Sequence, residues 1–574
     1  MKTKIKTLVF IAVIAVIFAS CGDPEEPGPV TGVTLNKSTL NMLVGDDETL
    51  TPTITPNNAA DKSVRWTSSS EAVATVAADG KVTAIAAGNT TITVTTVDGD
   101  KTADCAVTVT APASRKFWAQ RMTNNTHYQL DALRIAIGQY CDVWVEVGSG
   151  VTNATARNIA NTYDTNIRGR MITNFSMTDI LYDDEEFADV IEFASWWTDN
   201  DDGKLSILLL NIQDGANSVN DPYTEGYFSS NDFYEYHANN NPGSNYRPMI
   251  YIDTFPGIPG STLSNTTLAH ELQHLINYAT TLLIRYDDDY GPFPMDIWID
   301  EGLSAAAEWI YTQQHDDDKI NFYIENYSGL IDKGNNFFVW DNHQENDYAI
   351  LDDYATVYLF FQWLRIQAKP NAKIYYDIIT AEDGDGFGCF DNLAVVTAAY
   401  SDIDDYYDDW ELLLLDWFAA NYINDTTGIY GYKNDAKLKN IKAHTAPNNT
   451  TKIALYPGEG VYSIFPANFT MPTDASNIKY LSINPEADPG LAFDFDATED
   501  WVLLTYNADF TYTNLYSQAD AETEEGTTTG VAASISIVPR HTARVPGIIR
   551  LDARDMLRRN GVNSGINNSR QIKR

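Results

Sequence analysis

The chain has 574 residues, with 79 acidic against 38 basic side chains and a formal net charge of −41. This charge repels a phosphate backbone, which argues against nucleic acid as the main partner. The length exceeds what one hydrophobic core usually supports, and a hydrophobic share of 44% excludes a largely disordered chain, so we expect several folded units.

The first residues resemble a bacterial lipoprotein signal. A lysine-bearing start precedes an apolar run from Leu8 to Ala19, and small residues stand immediately before Cys21. The run is shorter than the roughly 20 apolar residues that span a bilayer, although an uncleaved anchor is the alternative. The resemblance implies a signal peptide at residues 1–20, lipidation of Cys21, and attachment to the outer membrane or cell surface, outside the cytoplasm. Residues 21–30, rich in Pro, Gly and acid, then form a tether.

The cysteine count does not favour a disulfide framework. Four cysteines are present, and an odd three remain after Cys21 is assigned to lipid. A disulfide between Cys141 and Cys389 stays open, and none of the cysteines has the spacing of a CxxC metal site.

Residues 31–112 have the pattern of a small β-sandwich. The stretch VATVAADGKVTAIAAGNTTITVTTV alternates apolar and polar residues around a turn at Asp79 and Gly80. Together with GVTLNKSTLNMLVGDDETLTPTITP before it, this stretch resembles group 2 bacterial immunoglobulin-like domains. The resemblance implies a spacer or adhesion module without catalysis, and we favour a stalk, because a fold alone does not define a function.

Residues 113–444 change to mixed α and β character. Apolar runs predict buried strands at residues 141–148, 206–212 and 248–253, and NATARNIANTYDTNI predicts a helix between the first two. A second helix, carrying HELQHLINY, follows the third strand after a Gly/Pro-rich loop. Strands followed by such a helix suit an α+β enzyme, and we expect the third strand to offer an open edge to an extended peptide.

The stretch HELQHLINY places His270 and His274 one turn apart on one side of a helix, so both imidazoles face one ion. Apolar side chains lie on the opposite side: Leu268, Leu272, Leu275, Ile276 and Ala279. This pattern predicts an amphipathic helix with the histidines on its polar face. Such a motif also arises by chance, so it needs support from elsewhere in the chain. A catalytic zinc usually has three protein ligands, and WIDEGLSAAAEWIY supplies a third candidate, Glu301, on the next predicted helix.

The two helices together resemble the glutamate-ligand zincins. Four further pieces match in order and narrow the resemblance to hyicolysin-type zinc metallopeptidases: CDVWVEVG, ILLLNIQDG followed by GYFSSND, MIYIDT and DYATVYLFFQWL. It implies that His270, His274 and Glu301 bind zinc (Zn²⁺), that Glu271 is the general base, and that the substrate is a protein or peptide. A zinc-activated water with a neighbouring carboxylate has the chemistry to hydrolyse a peptide bond.

The supporting residues depart from the thermolysin pattern. In thermolysin-like enzymes an aspartate four residues after the glutamate ligand supports a histidine, but Ala305 occupies that position here. Asp300 or Glu308 could replace it, and for Glu308 an exposed helix carboxylate is an equal alternative. Tyr354 is a candidate to stabilise the oxyanion, whereas Tyr358 lies in an apolar run and is better explained by core packing.

The C-terminal part returns to a β pattern. Residues 445–539 contain short apolar runs separated by Gly, Pro, Asn and Asp, which predict a C-terminal β-sandwich. Residues 540–574 form a basic tail, interpreted as a solvated end. The acidic stretch TDNDDGKLS at residues 198–206 fits a strand-initiating turn better than a calcium loop, because the required glutamate at the twelfth position is missing.

The sequence therefore predicts a multidomain chain: an N-terminal all-β immunoglobulin-like sandwich, a central α+β zincin-type metallopeptidase and a C-terminal all-β sandwich. The predicted function is that of a lipid-anchored extracytoplasmic zinc endopeptidase. One alternative is a cell-surface binding or adhesion lipoprotein with an inactive zincin domain. Another is a zinc hydrolase that uses the same residues on a different bond, such as an ester.

Overall fold

The computed structural model describes residues 27–175, 204–218, 221, 223–233, 243–287, 291–292, 295–326, 331, 349–381, 396, 403, 410–446, 460–465, 478–483 and 501–507. The predicted signal peptide with Cys21, the acidic residues 198–203, Cys389 and the basic tail lie outside the described residues. The chain divides into two compact units, Met1–Pro112 and Ala113–Arg574.

The first unit is an all-β domain. Its strands are β1 Gly32–Leu35, β2 Thr39–Leu43, β3 Asp47–Thr49, β4 Pro52–Thr55, β5 Val64–Ser68, β6 Ala74–Val76, β7 Lys81–Ala84, β8 Gly88–Thr96 and β9 Thr102–Thr110. They form a four-stranded sheet in the order β2-β9-β8-β5, a three-stranded sheet in the order β3-β7-β6 and a β1-β4 pair. Alternate residues of β8 and β9 are buried, as the period-two pattern predicts. The predicted turn is present between β6 and β7, where Gly80 has a φ of 85°.

The second unit begins with a six-stranded sheet of β10 Ser114–Arg121, β11 Thr126–Ile137, β12 Cys141–Glu146, β13 Leu205–Leu210, β14 Gly226–Phe228 and β15 Met249–Asp253. The strand order in this sheet is β10-β11-β12-β13-β15-β14. The central strands β12, β13 and β15 are parallel, and every residue of β13 is buried. Continuous apolar runs are typical of parallel strands that are covered on both faces, which explains why these three could be predicted.

The expectation that residues 248–253 offer an open edge is wrong. The short strand β14 pairs antiparallel along β15, with Gly226 opposite Ile252 and Phe228 opposite Ile250. A side chain at Gly226 would lie 2.8 Å from the Tyr251 carbonyl oxygen, so the missing side chain permits this close approach. A three-residue strand is too short to show a period-two pattern, so the residue pattern did not predict a strand here.

Helices cover one face of this sheet, and they share one core with Ile207, Leu209, Ile250 and Ile252. The helices are α1 Asn153–Thr162, α2 Arg168–Phe175, α3 Thr262–Ile284, α4 Ile297–Thr312, α5 Asp317–Glu325, α6 Ala349–Gln367, α7 Ile374–Ile379 and α8 Trp410–Ile423. A smaller apolar cluster, which includes Phe117, lines the opposite face. Within the described residues, no helix is long and apolar enough to cross a membrane.

Helix α3 has the predicted apolar and polar sides, and both sides are buried. All residues from Ser264 to Tyr278 are buried, including both histidines. The helix begins at the N-cap Ser261, whose side chain accepts a hydrogen bond from the Ser264 backbone N–H. The polar side of α3 is covered by α4, and polar side chains of the two helices contact each other. The polar residues of α3 are therefore buried and not exposed to solvent.

Two short strands, β16 Tyr286–Asp287 and β17 Gly291–Pro292, precede the C-terminal strands. The C-terminal strands that the structure describes are β18 Thr445–Ala446, β19 Gly460–Phe465, β20 Ile478–Ile483 and β21 Trp501–Asn507. They form one four-stranded sheet in the order β18-β19-β21-β20. The Tyr462 hydroxyl donates a hydrogen bond of 2.7 Å to the Phe418 carbonyl oxygen, which joins β19 to α8. The C-terminal β-sandwich stays a prediction.

Cys141 is a buried free thiol and not half of a disulfide.

Candidate metal centre

Two imidazoles and one carboxylate converge between α3 and α4. The Nε2 atoms of His270 and His274 lie 3.1 Å apart. One carboxylate oxygen of Glu301 is 3.5 Å from Nε2 of His270, and the other is 3.7 Å from Nε2 of His274. The three ligand atoms lie within 4.8 Å of one another, and all three residues are buried. The structure therefore brings together the three metal-ligand candidates of the sequence.

The second nitrogen of each histidine faces a carboxylate from α4. Nδ1 of His270 lies 2.9 Å from Oε1 of Glu308, and Nδ1 of His274 lies 3.0 Å from Oδ2 of Asp300. The other Asp300 oxygen accepts a hydrogen bond of 2.6 Å from the Asn277 amide. A carboxylate that accepts a hydrogen bond from Nδ1–H favours the tautomer with its lone pair on Nε2, which is the atom that faces the other ligand candidates. Both alternatives considered for the supporting residue, Asp300 and Glu308, thus contact a histidine.

Ser304 completes this layer, and sequence reasoning missed it. Its hydroxyl donates a hydrogen bond of 2.6 Å to Oε1 of Gln273 and lies 3.0 Å from Nδ1 of His274. Asp300, Ser304 and Glu308 are spaced by four residues, so they share one face of α4. From this four-residue spacing, the sequence could have predicted that these three side chains lie on the same side of the helix.

Burial shapes the chemistry of these side chains. Burial lowers the pKa of His270, and the opposing influence of the Glu308 carboxylate is smaller. A neutral imidazole is the form that binds a metal ion, so the surroundings of His270 suit a ligand. The donor set of two imidazole nitrogens and one carboxylate is one that zinc takes in catalytic sites. The residues present therefore fit a zinc ion.

Glu271 is buried directly beside this centre. It follows His270 on α3 and is 3% exposed, and it is not one of the three residues whose ligand atoms converge. A carboxylate next to the ligands, but outside the ligand set, is where a general base for a bound water is required. Its catalytic role stays a prediction.

The two tyrosine candidates lie on α6. Tyr358 is fully buried, and its hydroxyl accepts a hydrogen bond of 3.1 Å from the Asp316 backbone N–H and lies 2.8 Å from Nδ1 of His315. These contacts agree with the packing role that we expected for it. Tyr354 is buried one turn earlier on the same helix, and its role at an oxyanion stays a prediction.

Gly302 sets the distance between α4 and α6 next to the ligand candidate Glu301. A Cβ at Gly302 would collide with the buried ring of Phe361. We expect Gly302→Ala to lower the free energy of unfolding by about 2 kcal/mol, since overpacking a core outweighs the gain in helix propensity. Urea unfolding measures this change.

A matched control is Gly169→Ala on α2, where nothing lies within 4 Å of the added methyl group. This exposed substitution should raise the free energy of unfolding by up to about 1 kcal/mol. Equal effects at both positions would contradict close packing at Gly302.

The fold and these side chains define the class of site as a candidate metallohydrolase centre. The comparisons add a relative of that class. The chain is 31% identical over 272 residues to the neutral metalloprotease ShpI of Staphylococcus hyicus, covering 46% of this chain and 54% of that protein. The chain thus spans about half the length of this relative.

A family model matches the N-terminal unit, and further proteins are similar to parts of the chain. Residues 29–107 match the family described as bacterial Ig-like domain (group 2), which confirms the predicted immunoglobulin-like domain. An alpha-L-arabinofuranosidase of Bifidobacterium longum is 52% identical over 79 residues, which cover 14% of this chain and 7% of that protein. A solved structure of domains 4 and 5 of the S-layer protein SbsC is 24% identical, covers 15% of this chain and 54% of that chain, and has a TM-score of 0.13.

Proposed function

We propose that the chain is a zinc-dependent endopeptidase that acts on proteins or peptides outside the cytoplasm. The observation that carries this proposal is the convergence of two histidine Nε2 atoms and Glu301, with a carboxylate on each Nδ1. The metalloprotease relative supports the same class of reaction. The lipoprotein resemblance of residues 1–21 supports attachment of the enzyme through a lipid on Cys21.

In this proposal His270, His274 and Glu301 hold the metal ion. A bound zinc ion supplies Lewis acidity and lowers the pKa of a coordinated water to about 7. Glu271 accepts the proton of the attacking water and returns it to the leaving amine, which is the general acid–base cycle that peptide hydrolysis needs. Tyr354 donates a hydrogen bond to the oxygen of the scissile carbonyl as negative charge develops there.

A second candidate function is that of a surface binding or adhesion protein with an inactive peptidase domain. The match of residues 29–107 to bacterial Ig-like domains favours it. The intact set of two histidines and two glutamates argues against loss of activity. Ester hydrolysis would use the same residues, so parallel assays on peptide substrates and on matched ester analogues distinguish it.

The deciding measurement is the zinc content of purified residues 22–574, with Glu301→Ala compared to wild type. We expect about one zinc per wild-type chain and a sharp reduction in Glu301→Ala, because a catalytic zinc depends on three protein ligands. Glu325→Ala, an exposed glutamate on α5, is the control and should keep its zinc. A folded wild-type chain with little or no zinc would overturn the peptidase proposal and leave the binding function.

A further inference from the structure

Lys319 lies behind the candidate metal centre, on a helix that carries none of its ligands. Its Nζ atom is 2.8 Å from Oε2 of Glu308 and 3.0 Å from Oδ2 of Asp316. The other oxygen of Glu308 lies 2.9 Å from Nδ1 of His270. Glu308 therefore bridges a lysine and a histidine, and its side chain is only 5% exposed.

The surroundings hold Lys319 in this position. Asp316 is the N-cap of α5, and its Oδ1 accepts hydrogen bonds from the backbone N–H groups of Asp318 and Lys319. The Oδ2 atom of Asp316 accepts a hydrogen bond from Lys319 Nζ, and the backbone N–H of Asp316 donates one to the Tyr358 hydroxyl. The ring of Tyr358 lies 5.7 Å from the lysine Nζ. The same N-cap thus starts the helix and orients the ammonium group.

The contact between Lys319 and Glu308 differs from an ordinary surface ion pair. Exposed pairs contribute about 0–1 kcal/mol, since water and flexible side chains weaken them. Here the lysine side chain is 14% exposed, and its partner carboxylate is 5% exposed. Removing one partner of a buried ion pair leaves an uncompensated charge, so this lysine matters more to Glu308 than a surface lysine would.

We propose that Lys319 is a positioning residue of the metal site, acting through Glu308. By binding Oε2, the lysine fixes the rotation of the Glu308 carboxylate, so that Oε1 contacts Nδ1 of His270. This contact holds the imidazole ring with its Nε2 atom directed towards the metal. This inference rests on the proposed zinc site and adds a residue from outside the ligand helices to it. Groups that support a metal-bound histidine in this way typically change metal affinity by about 10–100-fold.

The test measures zinc dissociation constants by competition with a chelator, in wild type, Lys319→Met, Glu308→Gln and the double variant. We expect about 10-fold weaker binding for Lys319→Met and a similar loss for Glu308→Gln. In the double variant binding should be no weaker than in Glu308→Gln, because a lysine that acts through Glu308 has nothing left to orient. Such non-additivity is what a double-mutant cycle detects.

Lys437→Met is the matched control. Lys437 also forms an ion pair with α5, 2.7 Å from Asp317, but this pair is exposed on the surface. The control should bind zinc as wild type does. Additive losses in the double variant, or an unchanged affinity in Lys319→Met, would overturn the inference.

Two further comparisons keep the result interpretable. If circular dichroism shows that Lys319→Met does not fold, Lys319→Gln and Lys319→Arg replace it, with weaker binding expected for the first and near wild-type binding for the second. Loss of affinity in both would overturn the specific role of the charge. A wild-type chain without zinc affinity would contradict the proposed function itself, whereas zinc binding that is insensitive to Lys319 contradicts only this inference.

Discussion

Replacing Glu271 with glutamine is expected to lower kcat for peptide hydrolysis by about 10²–10⁴-fold, while the chain keeps about one zinc. The substitution preserves the size and shape of the buried side chain but removes its capacity to take a proton. In free energy this corresponds to about 3–5 kcal/mol of lost transition-state stabilisation. The measurement compares kcat, KM and zinc content of the variant with those of wild type.

The expected separation between rate and metal content follows from the geometry. Glu271 is next to His270 in the chain, but it is not one of the three residues whose ligand atoms converge. Glu325→Gln on the exposed surface of α5 serves as control and should change neither quantity. Full activity in Glu271→Gln would show that another group is the base, and loss of zinc would make Glu271 part of the metal site.

The motif residues could be predicted because one helical period relates them. A spacing of four places His270 and His274 on one side of α3, and the requirement for a third ligand singled out Glu301. The immunoglobulin-like domain was predictable because apolar and polar residues alternate over many positions, and the parallel strands because each is a continuous apolar run.

Features that depend on pairing between elements could not be predicted. The sequence left Glu308 undecided between an exposed and a supporting carboxylate, because the orientation of α4 against α3 decides it. Full burial of α3 was missed because several of its polar side chains contact partners on α4, as Gln273 Oε1 does the Ser304 hydroxyl. Lys319 gave no signal at all, since it belongs to another helix and meets Glu308 only in the folded domain.

The carboxylates that contact the two histidines stand at other positions than in the thermolysin-like pattern to which the sequence was compared. Four residues after the ligand candidate Glu301, where that pattern has an aspartate, this chain has Ala305, which is fully buried. Glu308, one turn further along, reaches His270 with a longer side chain, and Asp300 reaches His274 from the other end of the same helix face. Two carboxylates at the ends of one face thus orient two histidines on the facing helix.

Removal of the metal is expected to abolish hydrolysis and to lower the stability of the unit that contains the site. A ligand that binds only the folded state at a thousandfold excess over its dissociation constant contributes about 4 kcal/mol to the free energy of unfolding. Without a cation, the buried Glu301 carboxylate faces two Nε2 atoms that lie 3.1 Å apart. The lone pairs of these atoms are directed towards one point. Without the metal ion, no positive charge offsets the free-energy cost of holding them close together in the folded state.

Tryptophan fluorescence during thermal unfolding, with chelator and after addition of zinc, measures this effect. Trp66 is the one tryptophan in residues 1–112, so the signal reports mainly on the part of the chain that holds the site. Zinc should raise the midpoint and restore hydrolysis in wild type, and it should do neither in Glu301→Ala. Because mass action requires any ligand of the folded state to stabilise it, an unchanged wild-type midpoint would mean that zinc does not bind there. An equal rise in Glu301→Ala would assign the zinc to other residues.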